Sequence, residues 1–172
     1  MLKIVFLLII FTSSIFAREV NWERYYEQYP KYRIIISKWV KYYDLQEVWI
    51  QAIICWESGW TEKAIDATGT CFGLMQVKGG SKDPDKNIQQ GCKKLKDALM
   101  FFDYDLYWAF NGYNAGCGKA NKWKKAGKKW GYATKIFEII HRIETIDLEL
   151  KIRYKLEYGD YGEDNLLRLK WW

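Results

Sequence analysis

The chain has one histidine, His141, and four cysteines, Cys55, Cys71, Cys92 and Cys117, no two of which fall two to four residues apart. That excludes the usual Cys/His zinc frames, and no metal or organic cofactor is implied. Proline is nearly absent: Pro30 and Pro84 are the two in 172 residues, and each is expected to end or precede a helix. Repeats and low-complexity linkers are lacking, which leaves room for one domain. The apolar run Ile4 to Phe11 is too short to cross a bilayer as a helix.

That run sits between a positive start, Met1 and Lys3, and the polar Thr12-Ser13-Ser14 leading to Ala17. Residues 1–17 therefore read as an export signal cleaved before Arg18, and residues 18–172 as a single mature domain. No cysteine follows the apolar run, which argues against a lipoprotein. The expectation is an exported, soluble monomer, periplasmic or extracellular. An even cysteine count in such a chain points to two disulfides, with three possible connectivities. Free thiols are the alternative, because a chain of this length can build a core without staples.

Acids are the minority charge, and the formal net charge is +6. Much of the excess lies in Lys119 to Trp130, K-A-N-K-W-K-K-A-G-K-K-W. A basic segment laced with aromatics suits nucleic acid or an anionic wall polymer, and export selects the second. A solvated helix face that serves only solubility competes with both. Aromatics make up 18% of the chain, with ten Trp, enough to fill a core and also to stack on sugar faces.

Periodicity predicts a mainly helical fold with one small strand region. Helices are expected over Asn21 to Tyr29 and Lys31 to Tyr43. Asp44 then caps a third helix, with Glu47 completing a capping box. Leu45, Val48, Trp49, Ala52, Ile53 and Trp56 form its apolar stripe, and Gly59 closes it. Phe72 to Val77 suits a strand, Asn87 to Phe102 a helix, and Tyr104 to Phe110 a short helix entering the turn-prone N-G-Y-N-A-G-C-G. From Tyr132 onward, Ile136, Ile139, Ile140 and Ile143 keep a helical period.

At the end of the third helix the stretch I-I-C-W-E-S-G-W, Ile53 to Trp60, sets one acid between two tryptophans. Three influences would raise the pKa of Glu57: desolvation by Trp56 and Trp60, the negative end of its own helix, and no cation alongside. A carboxyl group kept protonated near neutral pH can donate a proton to a leaving sugar oxygen. By itself a Glu near a helix end is usually a solvated surface residue.

Three further motifs change that balance: C-F-G-L-M-Q-V at Cys71 to Val77, N-I-Q-Q-G at Asn87 to Gly91, and N-G-Y-N-A-G at Asn111 to Gly116. With Glu57-Ser58 and the helix opening at Tyr132, the set resembles the soluble lytic transglycosylases and their relatives, the goose-type lysozymes, over roughly Leu45 to Thr145. The resemblance implies a lysozyme-like fold around a cleft. It also implies cleavage of the β-1,4 bond between N-acetylmuramic acid and N-acetylglucosamine in peptidoglycan. Glu57 matches the catalytic acid, and Ser58 resembles a partner that bonds Glu57 or the sugar. Met75 and Gln76 match cleft residues, with the amide available to an N-acetyl group. Tyr113 and Asn114 match the Tyr-Asn pair that positions the acid and the sugar rings. Tyr132 matches a tyrosine lining the cleft beside the acid. Packing is the competing role for Met75 and Tyr132, and backbone turn geometry for Asn114. Asn87 to Gly91 is assigned to helix packing, with Gly91 permitting close approach.

Ordinary glycosidases need two carboxylates. The family resembled here is said to use one Glu, first as acid and then as base toward the substrate's own 6-hydroxyl, closing a 1,6-anhydro ring. Goose-type lysozymes carry acids just before and directly after G-L-M-Q-V. Here Lys78 follows the motif, and Asp66 lies beside the matching position, held by Ala67. That favours the transglycosylase, with Asp66 as the second carboxylate if the chain is a hydrolase. The loop Thr68 to Gly73 is one residue longer than the transglycosylase form. A non-catalytic cationic wall-binding protein is the non-enzymatic alternative, and a secretion or conjugation assembly is a conceivable partner. Nucleic acid is not expected.

Overall fold

The computed structural model describes residues 20–158, so the expected signal segment and its boundary at residue 18 lie outside the described residues. In chain order the elements are α1 (Trp22–Tyr43), α2 (Glu47–Glu57), the short strands β1 (Cys71–Phe72) and β2 (Val77–Lys78), α3 (Pro84–Phe101), α4 (Leu106–Ala115), α5 (Cys117–Lys125) and α6 (Gly131–Tyr158). The fold is mainly α with one small β region, as the periodicity predicts. No helix among the described residues is long and apolar enough to cross a membrane.

Two expected helices before residue 44 are one. Asn21 caps α1 by accepting the Arg24 N–H, and the helix runs through Pro30 to Tyr43. Pro30 removes one backbone donor from the ladder. Tertiary packing compensates on both sides of it: Tyr25, Tyr29 and Tyr32 all pack their rings on Trp60. Asp44 is not the N-cap of α2 but the C-cap of α1, with φ 52°, a left-handed conformation that Asp tolerates better than most residues. The N-cap of α2 is Gln46, whose side chain makes no capping bond, and Glu47 instead reaches back to the Tyr29 and Ser37 hydroxyls of α1.

Every residue of α2 from Ile50 to Cys55 is buried, with Val48, Trp49 and Trp56 half-buried against the same core. A helix covered all round belongs in the middle of a fold, and α2 packs against α1 on one side and α6 on the other. Ile50, Ile53 and Ile54 are fully buried, each stabilising the fold by about 1.5–3 kcal/mol. This anchors the end of α2, and with it Glu57.

The stretch Phe72 to Val77 is not one strand. The chain reverses within it, so Cys71 pairs with Lys78 and Phe72 with Val77 in an antiparallel hairpin. Gly73 makes the reversal possible: its φ is 74°, and a Cβ there would lie 2.6 Å from the Asn87 amide. Asn87, fully buried on α3, holds the hairpin from below. Its Nδ2 donates to the carbonyls of Phe72 (2.8 Å) and Ser81 (3.0 Å), and its Oδ1 accepts the Met75 N–H (2.9 Å).

Gly91 permits the close approach expected of it. A Cβ at that position would sit 2.2 Å from the Met75 sulfur. Met75 is itself fully buried, so it has little room to retreat. Gly91→Ala should therefore cost about 1–3 kcal/mol through overpacking, read as a lowered denaturant midpoint with unchanged m-value.

The two expected disulfides are absent: all four cysteines are free thiols. Cys55 on α2 and Cys92 on α3 are both core residues, and burial pushes each thiol up to about 12. Trp60 Nε1 donates to the Cys55 sulfur at 3.0 Å, giving that thiol a packing role.

Candidate active site

Glu57 is the last residue of α2 and is half-buried. The hydroxyl of Tyr132, at the start of α6, donates to its Oε1 at 2.7 Å. Tyr132 is 6% exposed, and burial together with the charge of Glu57 holds its phenol well above its ordinary pKa. The phenol is thus a permanently neutral donor aimed at the carboxyl group. The resemblance expects a tyrosine beside the acid, and the structure places Tyr132 there.

The surroundings of Glu57 differ from the sequence expectation in two respects. Trp60 does not flank the acid as a neighbour in the chain would suggest. It is 1% exposed and packs on the tyrosines of α1, after a turn in which Gly59 and Trp60 both have positive φ. Nor is the site free of cations. Lys94, on α3, lies within electrostatic reach of Glu57, and its ammonium stands 4.3 Å from the centre of the Tyr113 ring. Sequence separation hides this proximity of α3 to the hairpin and α4, because α2 and α3 are joined through the hairpin loop.

The other expected site residues divide into supports and surface groups. Tyr113 is 1% exposed, and its hydroxyl donates to the Met75 carbonyl at 2.7 Å, which ties α4 to the hairpin. Met75 is a core residue that supplies backbone groups to Tyr113 and Asn87. Gln76, at φ 46°, donates through Nε2 to the carbonyls of Ala64 and Gly73, so its amide hydrogens hold the loop and its Oε1 is what it can offer a ligand. The Ser58 hydroxyl donates to the Ile54 carbonyl at 3.3 Å and closes α2. Asn114 is exposed near the end of α4, where its Oδ1 accepts from Trp130 Nε1 at 3.4 Å. The run N-G-Y-N-A-G is helical up to Ala115, not a turn.

Asp66 is committed to its own loop. Its carboxylate accepts the N–H groups of Thr70 and Cys71, both at 2.7 Å, and the Thr68 hydroxyl. These donors, the Cys71 N–H foremost, hold its pKa down to about 2. A carboxylate that weakly basic is poorly suited to activating water near neutral pH.

Three residues around the site are not singled out as site residues by the sequence. Lys94 is one. Asn111 is another: fully buried on α4, it accepts the Ala133 N–H at 3.2 Å and so fixes the first turn of α6, which carries Tyr132. Its Nδ2 is a buried donor without an acceptor among the described residues. Tyr107 is the third, its hydroxyl donating to the Trp130 carbonyl and accepting the Trp130 N–H, at 2.9 and 3.0 Å. With Trp130 stacked on Trp123 at 4.5 Å, this clamps the segment leading into α6. A buried-amide signal is detectable in Asn111 only once its neighbours are known to be core.

The family model for the transglycosylase SLT domain matches residues 78–136, a segment containing Asn87, Gly91, Lys94, Tyr113 and Tyr132 and beginning after Glu57. The chain is 25% identical over 122 residues to the soluble lytic murein transglycosylase of Salmonella typhimurium (strain LT2), covering 59% of this chain and 19% of that one. Among solved structures it is similar to an inactive Glu-to-Gln mutant of the lytic transglycosylase Slt from Pseudomonas aeruginosa. That match has a TM-score of 0.50 and 25% identity over 63% of this chain and 20% of the other. The chain thus spans about a fifth of the length of these relatives. Residues 78–136 thus resemble a transglycosylase SLT domain, and the mainly helical fold is similar to that of a lytic transglycosylase, a lysozyme-like fold.

Proposed function

We propose that the chain is a peptidoglycan lytic transglycosylase in which Glu57 is the single catalytic carboxyl group. The observation that carries this reading is the Tyr132 hydroxyl bonded to Glu57 Oε1, a neutral donor that orients the carboxyl group at the end of α2. The relatives named as lytic transglycosylases support the reaction class, and one of them is described as inactive once a glutamate is replaced by glutamine.

In the proposed reaction Glu57 gives its proton to the glycosidic oxygen as the bond from that oxygen to the muramic acid C1 breaks. Positive charge develops on C1, and the carboxylate left behind is stabilised by the Tyr132 hydroxyl. The muramic acid's own 6-hydroxyl oxygen then bonds to C1, and its proton returns to Glu57. The products are an N-acetylglucosamine end and a 1,6-anhydro end, and no water is consumed. Holding the hydroxyl in the same molecule replaces an activated water by proximity. A hydrolase would need a second carboxylate, and Asp66 is occupied by Thr68, Thr70 and Cys71. Action on peptidoglycan requires export, which residues 1–17 would supply.

Mass analysis of muropeptides released from purified sacculi tests this. Anhydro ends, lighter by one water than reducing ends, are expected; reducing ends would replace transglycosylation by hydrolysis. Tyr132→Phe should lower the turnover rate roughly tenfold with little change in substrate affinity, because the lost hydrogen bond matters most to the carboxylate formed in the transition state.

A further inference from the structure

The proposed reaction leaves the basic segment before α6 without a task. Between Asp105 and Glu138 the sequence has seven lysines and no acid. The structure folds part of this stretch around an open pocket of about 580 Å³, walled by Tyr107, Trp108 and Trp130 and lined also by Lys128, Lys129 and Thr134.

The walls are fixed in advance of any ligand. The Tyr107 hydroxyl holds the Trp130 backbone from both sides, donating to its carbonyl at 2.9 Å and accepting its N–H at 3.0 Å. Trp123 stacks on Trp130 at 4.5 Å, which leaves the Trp130 ring one face to offer, and that residue stays 43% exposed. Trp108 stands edge-on to Tyr107, their ring centres 5.1 Å apart. The end of α5 sets the lysines. Gly127 takes φ 64°, its N–H bonds the Lys124 carbonyl and the Lys128 N–H bonds the Trp123 carbonyl, a glycine-closed helix end. Lys124 pairs with Asp105 at 3.1 Å, whereas Lys128 and Lys129 make no ion pair among the described residues.

Flat rings in a hollow accept the C–H faces of pyranose sugars, and ammonium groups beside them favour a carboxylate on the same ligand. The pocket's place selects the polymer. Thr134 lines it, and Tyr132, two residues earlier on α6, bonds Glu57. Trp130 Nε1 also donates to Asn114 Oδ1 at 3.4 Å. The pocket and the acid thus share the first turn of α6. We propose that this pocket is a second binding site, for an acid-bearing glycan: a sugar ring lies on the aromatic walls while Lys128 and Lys129 hold its carboxylate, keeping the enzyme on its polymer between cuts. This rests on the chain acting on peptidoglycan, whose muramic acid peptides carry such carboxylates.

Binding is separated from cleavage by working in the whole chain with Glu57→Gln. The probe is a disaccharide-peptide muropeptide with free carboxylates, compared with the same compound after those carboxylates are amidated. In nitrogen–proton NMR the free acid should shift the indole N–H signals of Trp130 and Trp108, with an affinity that falls as salt is added. Lys128→Gln with Lys129→Gln should weaken binding about tenfold. Lys122→Gln with Lys125→Gln removes equal charge from the same segment outside the pocket, and should leave affinity within about twofold. All four side chains are exposed, so folding is spared. Equal losses in the two double variants, an amidated ligand bound as tightly, or tighter binding of an oligonucleotide would overturn the proposal. Binding with this lysine dependence, in a protein whose unsubstituted form releases no anhydro ends, would refute the proposed reaction alone.

Discussion

Glu57→Gln should lower the rate of peptidoglycan solubilisation by about three orders of magnitude or more, with a melting temperature within a few degrees of wild type. Gln keeps the size of the side chain and an oxygen that can still accept from the Tyr132 hydroxyl, so the local packing survives. What disappears is the exchangeable proton. Without it the leaving oxygen must depart as an anion, and the 6-hydroxyl has no base to receive its proton. Both halves of the reaction therefore fail together. The side chain is half-buried at a helix end and not a core residue, which is why stability should be spared. Clearing of embedded sacculi in a gel, compared between the two proteins at equal loading, reads the difference.

Asn87→Ala should do the reverse, removing roughly 3–5 kcal/mol of stability with no group of the reaction altered. The Asn87 side chain is fully buried and makes three bonds to the hairpin, through Met75, Phe72 and Ser81. Alanine leaves one donor and two acceptors without partners in a space no side chain fills. For a domain of this size that corresponds to a melting temperature lower by about 10–15 °C, measured by circular dichroism. Because Met75 is the acceptor for Tyr113, whose ring carries Lys94, disorder in the hairpin should spread toward Glu57. Lost activity in this variant should return partly on cooling, whereas that of Glu57→Gln should not.

The sequence and the structure agree where the signal is local or periodic. The apolar run of α2, the acid at its end, the helix from Tyr132 and the close approach at Gly91 all depend on spacing along one element, and spacing is visible in a string of letters. The misreadings occur where a distant partner decides. Pro30 would end a helix on its own, but the tyrosines around it are held on Trp60. Asp44 with Glu47 has the form of a capping box, yet Glu47 bonds α1, and the turn takes Asp44 as a left-handed cap. The disulfide expectation rested on an even count, and counting does not reveal that Cys55 and Cys92 are packed in the core as free thiols.

The same holds within the site. Tyr113 and Gln76 are polar residues in a matching motif, and the string does not reveal that their polar hydrogens go to backbone carbonyls of the hairpin and its loop. Lys94 is one of two adjacent lysines on α3, and nothing in the string separates it from Lys93, which pairs with Asp97 at the surface. Only the helix direction, turning Lys94 toward Tyr113 and Lys93 toward solvent, sets one on a buried ring and the other at the surface. Glu57 was legible from its setting at the end of an apolar helix; the lysine on the neighbouring helix was not.

In the proposed reaction one carboxyl group and the substrate's own hydroxyl suffice, with water taking no part in bond cleavage. Digesting sacculi in water labelled with heavy oxygen tests it most directly. Newly formed muramic acid ends should carry no label. Heavy oxygen at C1 of those ends would show that water attacked there, and would contradict it.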